Sequence, residues 1–308
     1  ELDENGNGYC PACQKTVTWT AIDPASYTTT NYGTIKKGSH LYLSGSVTSS
    51  SSEGSAFISA PTYTGNNACL HLNGFDLTAT ATRAIYGAAG ILNVMGEGTV
   101  AGYQSSGYTG ATLQINTAGT SGAVNLYGGT YTMAANTNKN AYVMNIADNG
   151  GIINIYKTAS INAGSINKAI RCGESKLTNS VVGLYGTSIK GFIYLKGPNV
   201  SKGQELQLII DGAKLSGSVQ VGENSSTNVK VTLSGKVELS KLMLENDLRI
   251  ELDQLKPGSR IGLDPEGIFT KENTDIAQYQ SYFTAASQGY RVTVKNNALR
   301  CALDYVRD

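Results

Sequence analysis

The most regular feature of the chain is a short alternation closed by glycine, apolar–x–apolar–x–Gly, which returns along most of its length. It stands as Leu70-His71-Leu72-Asn73-Gly74, Leu92-Asn93-Val94-Met95-Gly96 and Val124-Asn125-Leu126-Tyr127-Gly128. It returns as Ile153-Asn154-Ile155-Tyr156-Lys157, Val182-Gly183-Leu184-Tyr185-Gly186, Leu208-Ile209-Ile210-Asp211-Gly212 and Val231-Thr232-Leu233-Ser234-Gly235, with Ile250-Glu251-Leu252 as a last, degenerate copy. Intervals run from about 19 to about 32 residues, the period of a solenoid. Most copies are followed by a single apolar position (Leu77, Val100, Ile161, Ile189, Leu215, Val237). A second strand comes next, as in Leu113-Gln114-Ile115, Ile170-Arg171-Cys172, Ile193-Tyr194-Leu195, Val219-Gln220-Val221 and Leu242-Met243-Leu244.

Each unit thus holds three short alternating strands separated by Gly, Ser or Asn turns. No such strand can bury its apolar side alone. Stacked units make one continuous core and pair each strand with its copy in the next unit. The pattern predicts an all-β chain, a right-handed parallel β-helix of about eight coils over 61–252. Helical repeat arrays need 3.6-residue periodicity, which is missing here. Uneven spacing disfavours a β-propeller, and a β-sandwich is the other alternative. Solenoid ends must be blunted. Residues 1–60, with Trp19 and the strand Leu41-Tyr42-Leu43, are expected to cap one end, and 253–308 the other. The second cap is expected to contain the one helix, over 271–284, started by Thr274 with Ile276, Tyr279 and Phe283 on one face.

Composition narrows the function. Charged residues are 15% of the chain, Lys+Arg 24 against Asp+Glu 23, so its surface is built from Ser, Thr, Asn, Gly and Tyr. No basic run interleaved with aromatics marks a nucleic-acid partner, and no apolar run is long enough for membrane insertion. Glu1 to Gly8 does not read as a secretory leader, leaving a cytosolic chain or one whose leader has been removed. The polar, charge-poor composition leans extracellular.

Some stretches resemble a family. Ala68-Cys69-Leu70-His71-Leu72-Asn73-Gly74-Phe75-Asp76-Leu77 resembles the "CLNG" coil, and Val124 to Tyr131 the "LYGGT" coil, of right-handed parallel β-helix repeat (pectate-lyase-like) surface proteins of gut Gram-positive bacteria. Cys10-Pro11-Ala12-Cys13 with Val17-Thr18-Trp19, and the stretch from Gly262 to Val294, are similar to the start and end of those proteins. The resemblance implies a cell-surface location, a monomeric module of a larger multidomain chain, and adhesion to a host glycan or host protein such as mucin or immunoglobulin.

Many β-helix proteins cleave polysaccharides, so the catalytic reading needs residues. Glycosidases use two positioned carboxylates. The sequence has no Asp-Asp pair and no Gly-His-Gly, and Asn273-Thr274-Asp275 falls in the expected capping helix. Coil acids Asp76, Glu97, Asp148, Glu174 and Asp211 share no column, and His40 and His71 sit in no nucleophile motif. His71 reads as an ordinary surface residue. The expectation is a non-catalytic binding module without cofactor; a polysaccharide lyase or glycosidase and a purely structural stalk are the rivals.

Cys10 and Cys13 form a C-x-x-C pair, read first as a local disulfide or thiol pair pinning the N-terminal cap. They are weak candidates for half of a zinc site, for which no second C-x-x-C or H-x-H supplies the other ligands. No thioredoxin-like pattern supports a redox pair. Cys172 alternates with Ile170 and reads as core. Asp3-x-Asn5-x-Asn7-Gly8 copies the first half of a calcium loop, but its twelfth position is Gln14, so a loose terminus is expected.

Stacked coils place equivalent residues about 4.8 Å apart. Aligning the repeats gives two outward columns on one sheet: Asn93, Asn125, Asn154, and Tyr127, Tyr156, Tyr185 with Met95 before them. Both are candidate ligand-binding residues, as a flat aromatic and amide strip for sugar rings or a protein partner. Equally, they suit a stabilising ladder. The insertions Gly102–Gly110 and Ala134–Asn140 are the next candidates.

Overall fold

The computed structural model describes residues 2–117, 122–173, 179–196, 203–222, 228–244, 249–265, 268–270 and 275–304. Asn273, Thr274 and Glu174 lie outside the described residues. The chain is a right-handed parallel β-helix of about eight turns, built from three strand columns. The apolar–x–apolar–x–Gly strands stack as a ten-stranded parallel sheet, and the other two columns join in a seventeen-stranded sheet.

The glycine that closes the motif ends the strand. Gly74, Gly186, Gly212 and Gly235 have φ between 64 and 82°, a left-handed turn costly to side chains with a Cβ. Flanking apolar residues then point inward in register. Leu92, Val124, Ile153, Val182, Leu208 and Val231 form one buried row, and Leu70, Val94, Leu126, Ile155, Leu184, Ile210 and Leu233 the next. A second column buries Leu77, Val100, Tyr131, Ile161, Ile189 and Leu215. The third buries Ile58, Ile85, Leu113, Met144, Ile170, Ile193, Val219 and Leu242. Each such Leu, Ile or Val contributes about 1.5–3 kcal/mol through removal from water. Cys172 is in this core.

Coil strands continue on both sides of 61–252. Leu41-Tyr42-Leu43, assigned above to the cap, belongs to the strand His40–Leu43, which pairs parallel with Thr20–Ile22 and Asn67–His71. At the other end Arg260–Leu263 pairs parallel with Phe283–Ala285. A three-stranded sheet of Ile268–Thr270, Ala298–Leu303 and Tyr290–Lys295, antiparallel throughout, follows the last coil. The expected helix over 271–284 is a 3₁₀ helix, Ile276–Tyr282, capped by Asp275, whose side chain accepts the Ala277 N–H. Phe283 is already strand, because pairing to Ile261 draws the chain out straight. Among the described residues no helix is long and apolar enough to cross a membrane.

The N-terminal segment forms an antiparallel hairpin, Asn7–Cys10 with Lys15–Thr18, laid against outward side chains of the ten-stranded sheet. Cys10, Trp19, Cys69 and Met95 make a small buried cluster apart from the main core, with Leu2, Ala12, Cys13, Val17, Tyr42 and Tyr127 around it. Trp19 is pinned by its indole N–H to the Gly8 carbonyl, 3.3 Å, and by its backbone N–H to Gly6, 2.8 Å. The loose terminus expected before it is a closed turn. The Asp3 carboxylate accepts the backbone N–H groups of Asn5 and Asn7 at 2.9 and 2.7 Å and the Asn7 amide at 3.2 Å. Those bonds hold the Asp3 carboxyl below its usual range.

Candidate functional site

Strand register brings both outward columns together. Asn93 faces Asn125, Asn125 faces Asn154, and Tyr156 faces Tyr185. The amides form a hydrogen-bonded ladder: Asn125 Nδ2 donates to Asn93 Oδ1 and Asn154 Nδ2 to Asn125 Oδ1, both 2.9 Å. Asn93 does not face solvent as expected. It is 5% exposed, beside Cys69, and its Nδ2 donates to the Ala68 carbonyl at 3.4 Å. Next along the strand in the following coil, Gly183 leaves room for Tyr185, since a Cβ there would lie 2.6 Å from that ring and 2.5 Å from Asn154 Oδ1.

The tyrosines stack. Tyr127 and Tyr156 have centroids 4.6 Å apart and planes at 1°; Tyr156 and Tyr185 are at 5.1 Å and 17°. These separations match the coil spacing, so the rings lie face to face along the solenoid. The flat aromatic strip expected above is therefore an edge-on ridge. Both faces of Tyr156 are covered by its neighbours, and the Tyr185 ring leans back along its strand over Gly183, its hydroxyl beside that glycine. Burial first, then the neighbouring Tyr156, pushes Tyr127 up to about 12. Tyr185 is raised by burial, then by Tyr156 and Asp211. Ala123, Ile152 and Val181 complete the outward face on the other side of the amides.

A second convergence was only half visible in the sequence. The cysteine and histidine donor atoms of Cys10, Cys13, His40 and Cys69 all lie within 4.8 Å of one another. Cys10 Sγ is 3.5 Å from Cys69 Sγ, and Cys13 Sγ is 3.2 Å from His40 Nε2. All five cysteines are free, so the local Cys10–Cys13 disulfide is not formed here. Cys69 and His40 were the partners that local spacing could not supply. They are register neighbours on adjacent coils. Burial raises the Cys13 and Cys69 thiols and lowers His40. His71, read as a surface residue, is half-buried beneath Trp19, ring centroids 5.4 Å apart, and its Nδ1 accepts the Asn73 N–H at 2.9 Å.

The two long insertions lie side by side, with the Asn138 backbone N–H donating to the Gln104 carbonyl at 2.8 Å and its amide to Ser105 at 3.2 Å. Lys168 is 5.6 and 5.7 Å from the rings of Tyr108 and Tyr142, a cation–π arrangement. Of the coil acids, Asp76 accepts the Thr99 N–H at 2.7 Å. A shallow depression on the second column carries one carboxylate, Glu238, among Lys214, Arg260 and Thr284. Glu238 is itself paired with Lys214 at 3.4 Å and Lys236 at 3.9 Å. No known protein family, curated protein or solved structure matches the chain.

Proposed function

We propose that this chain is a non-catalytic binding module of a bacterial cell surface, whose partner lies along the outward face of the ten-stranded sheet. The observation that carries this reading is a charge-free patch. Three successive coils place Ala123, Asn125, Tyr127; Ile152, Asn154, Tyr156; and Val181, Gly183, Tyr185 on this face, with Ala123 and Gly183 themselves buried. Aliphatic, amide and phenol columns run side by side on the strands with no charged residue among these nine positions; charge borders them at Lys157 and, in the following coils, at Asp211, Lys230, Arg249, Glu251 and Asp253. Depletion of charge with Tyr in the centre is the composition of a protein-binding patch. A host protein such as mucin or immunoglobulin is favoured over a glycan, because the ring faces that sugars pack against are spent on the stack. The glycan reading keeps one supporting observation, a row of phenol hydroxyls and half-used amides at coil spacing.

The test is a glycan array together with a pull-down from intestinal secretions, using the wild type and the triple change of Tyr127, Tyr156 and Tyr185 to Ser. Capture that is lost in the triple variant, with the β-sheet circular dichroism kept, supports the site. Equal binding by the variant moves it to the insertions Gly102–Gly110 and Ala134–Asn140. Silence of the wild type in both leaves a structural stalk. Release of reducing sugar or unsaturated product from pectins, mucins or host glycans would establish the enzyme reading instead.

A further inference from the structure

We infer that Cys10, Cys13, His40 and Cys69 form a structural zinc site that fastens the N-terminal hairpin to the flank of the solenoid. Zinc bonds of about 2.3 Å to sulfur and 2.0–2.1 Å to nitrogen, in a tetrahedron, place ligand atoms about 3.8 Å apart for sulfur–sulfur and about 3.6 Å for sulfur–nitrogen. Cys10 and Cys69 at 3.5 Å and Cys13 and His40 at 3.2 Å stand at that scale, and all four donor atoms fit within 4.8 Å.

Three separate pieces of backbone aim these atoms at one point. The first is the turn Cys10-Pro11-Ala12-Cys13-Gln14. There the Cys10 carbonyl accepts the backbone N–H groups of Cys13 at 3.1 Å and Gln14 at 2.8 Å, and Gln14 takes φ of 54° to close the turn. The other two are the strands His40–Leu43 and Asn67–His71, whose register sets His40 and Cys69 side by side on the outward face. An outward cysteine under an indole needs a reason, because its flanking residues Ala68 and Leu70 already supply the inward packing.

The surroundings fit a closed metal centre. Trp19 stands edge-on to the His40 ring, centroids 5.2 Å apart, and Met95 completes an apolar wall. The Asn93 amide reaches to 3.8 Å from Cys69 Sγ, a donor suited to a thiolate. Since Asn93 also begins the amide ladder, the centre is continuous with the outward strip. Three thiolates and one imidazole in a tetrahedron select zinc among the common divalent ions. Binding Zn²⁺ releases the three thiol protons and leaves one net negative charge, near Lys15. With all four positions filled by protein, the ion has no open site and serves structure.

The test uses the whole chain purified under reducing conditions without chelator. Elemental analysis should give one zinc per chain. Cobalt substituted for zinc should show the visible absorption of tetrahedral thiolate coordination. Cys10, Cys13 and Cys69 should resist alkylation until a strong chelator is added. Cys69→Ser and His40→Ala should lose stoichiometric zinc, Cys301→Ser should keep it, and Asn93→Ala should weaken affinity about tenfold. Wild-type protein, folded by circular dichroism, that retains no zinc or cobalt after desalting from an equimolar mixture would overturn the inference. So would a Cys10–Cys69 disulfide as the form recovered from reducing buffer, found by mass spectrometry. The readouts on the wild type do not depend on any variant folding.

Discussion

Replacing the middle ring of the tyrosine stack should cost more than replacing its last ring, and the difference follows from counting faces. Tyr156 is stacked on both sides, at 4.6 and 5.1 Å, whereas Tyr185 is stacked on Tyr156 only. A stacked aromatic pair contributes about 0.5–1.5 kcal/mol beyond area burial. Tyr156→Ser therefore loses about 1–3 kcal/mol of stacking, and Tyr185→Ser about half of that. The triple Ser variant breaks the same two pairs as Tyr156→Ser alone, so the three single losses should sum to more than the triple loss. Double-mutant cycles isolate the term from burial. Tyr127/Tyr156 and Tyr156/Tyr185 should each couple by about 0.5–1.5 kcal/mol. Tyr127/Tyr185, two coil spacings apart at roughly 10 Å, should couple by less than about 0.5 kcal/mol. Equilibrium urea denaturation, followed by circular dichroism at fixed slope, gives each value. A Tyr127/Tyr185 coupling as large as the neighbour couplings would refute the face-to-face stack.

Three further outcomes are expected. Tyr131, wholly buried with its hydroxyl donating to the Gly128 carbonyl at 3.0 Å, should lose about 1–2 kcal/mol as Phe and about 3–5 kcal/mol as Ala, read from the denaturation midpoint. Gly128→Ala should lower the melting temperature by several degrees or prevent folding, because its Cβ would sit 2.5 Å from the Gly96 carbonyl oxygen of the coil below. Wild-type melting there would show that the coils separate freely. Tyr127 and Tyr142 are pushed up to about 12, chiefly by burial. Between pH 10 and 12 the unfolded chain gives up these protons and the folded chain holds them, so stability should fall with rising pH in that window and level off above it. Spectrophotometric titration should show these phenols ionising above the ordinary tyrosine range.

The columns were legible in the sequence because a strand's side chains alternate with a period of two and the closing glycine marks the register, except in the first copy, where Leu70 and not Leu72 pairs with Val94 and the glycine alignment is off by two. Leu77, Val100, Ile161, Ile189, Leu215 and Val237 all proved buried from that alignment alone. The Asn and Tyr columns were legible for the same reason. Alignment gives which residues are neighbours and nothing about how planar side chains turn, so the edge-on stack could not be read. Asn93 is buried because its neighbours Cys69 and Met95 join Cys10 and Trp19 from the N-terminal segment in a buried cluster, which strand alternation does not reveal. The Cys10, Cys13, His40, Cys69 cluster escaped because metal motifs are recognised by local spacing, and two of its members are joined only by coil register. One signal was present: Cys69 and His40 both occupy outward positions of anchor strands, where a solvated solenoid has no use for a thiol.

A stack of parallel coils carries no length of its own. Every coil presents the next with a full row of backbone donors and acceptors, and an unblocked last coil is a template on which a second molecule could continue the spiral. Here the first strand of the ten-stranded sheet, Thr20–Ile22, is three residues long and runs at once into Pro24, which has no N–H to offer. At the far end, the antiparallel sheet of Ile268–Thr270, Ala298–Leu303 and Tyr290–Lys295 turns its strands out of the spiral's direction. These two pieces give the rod discrete size, and a chain stripped of either should polymerise end to end into fibrils.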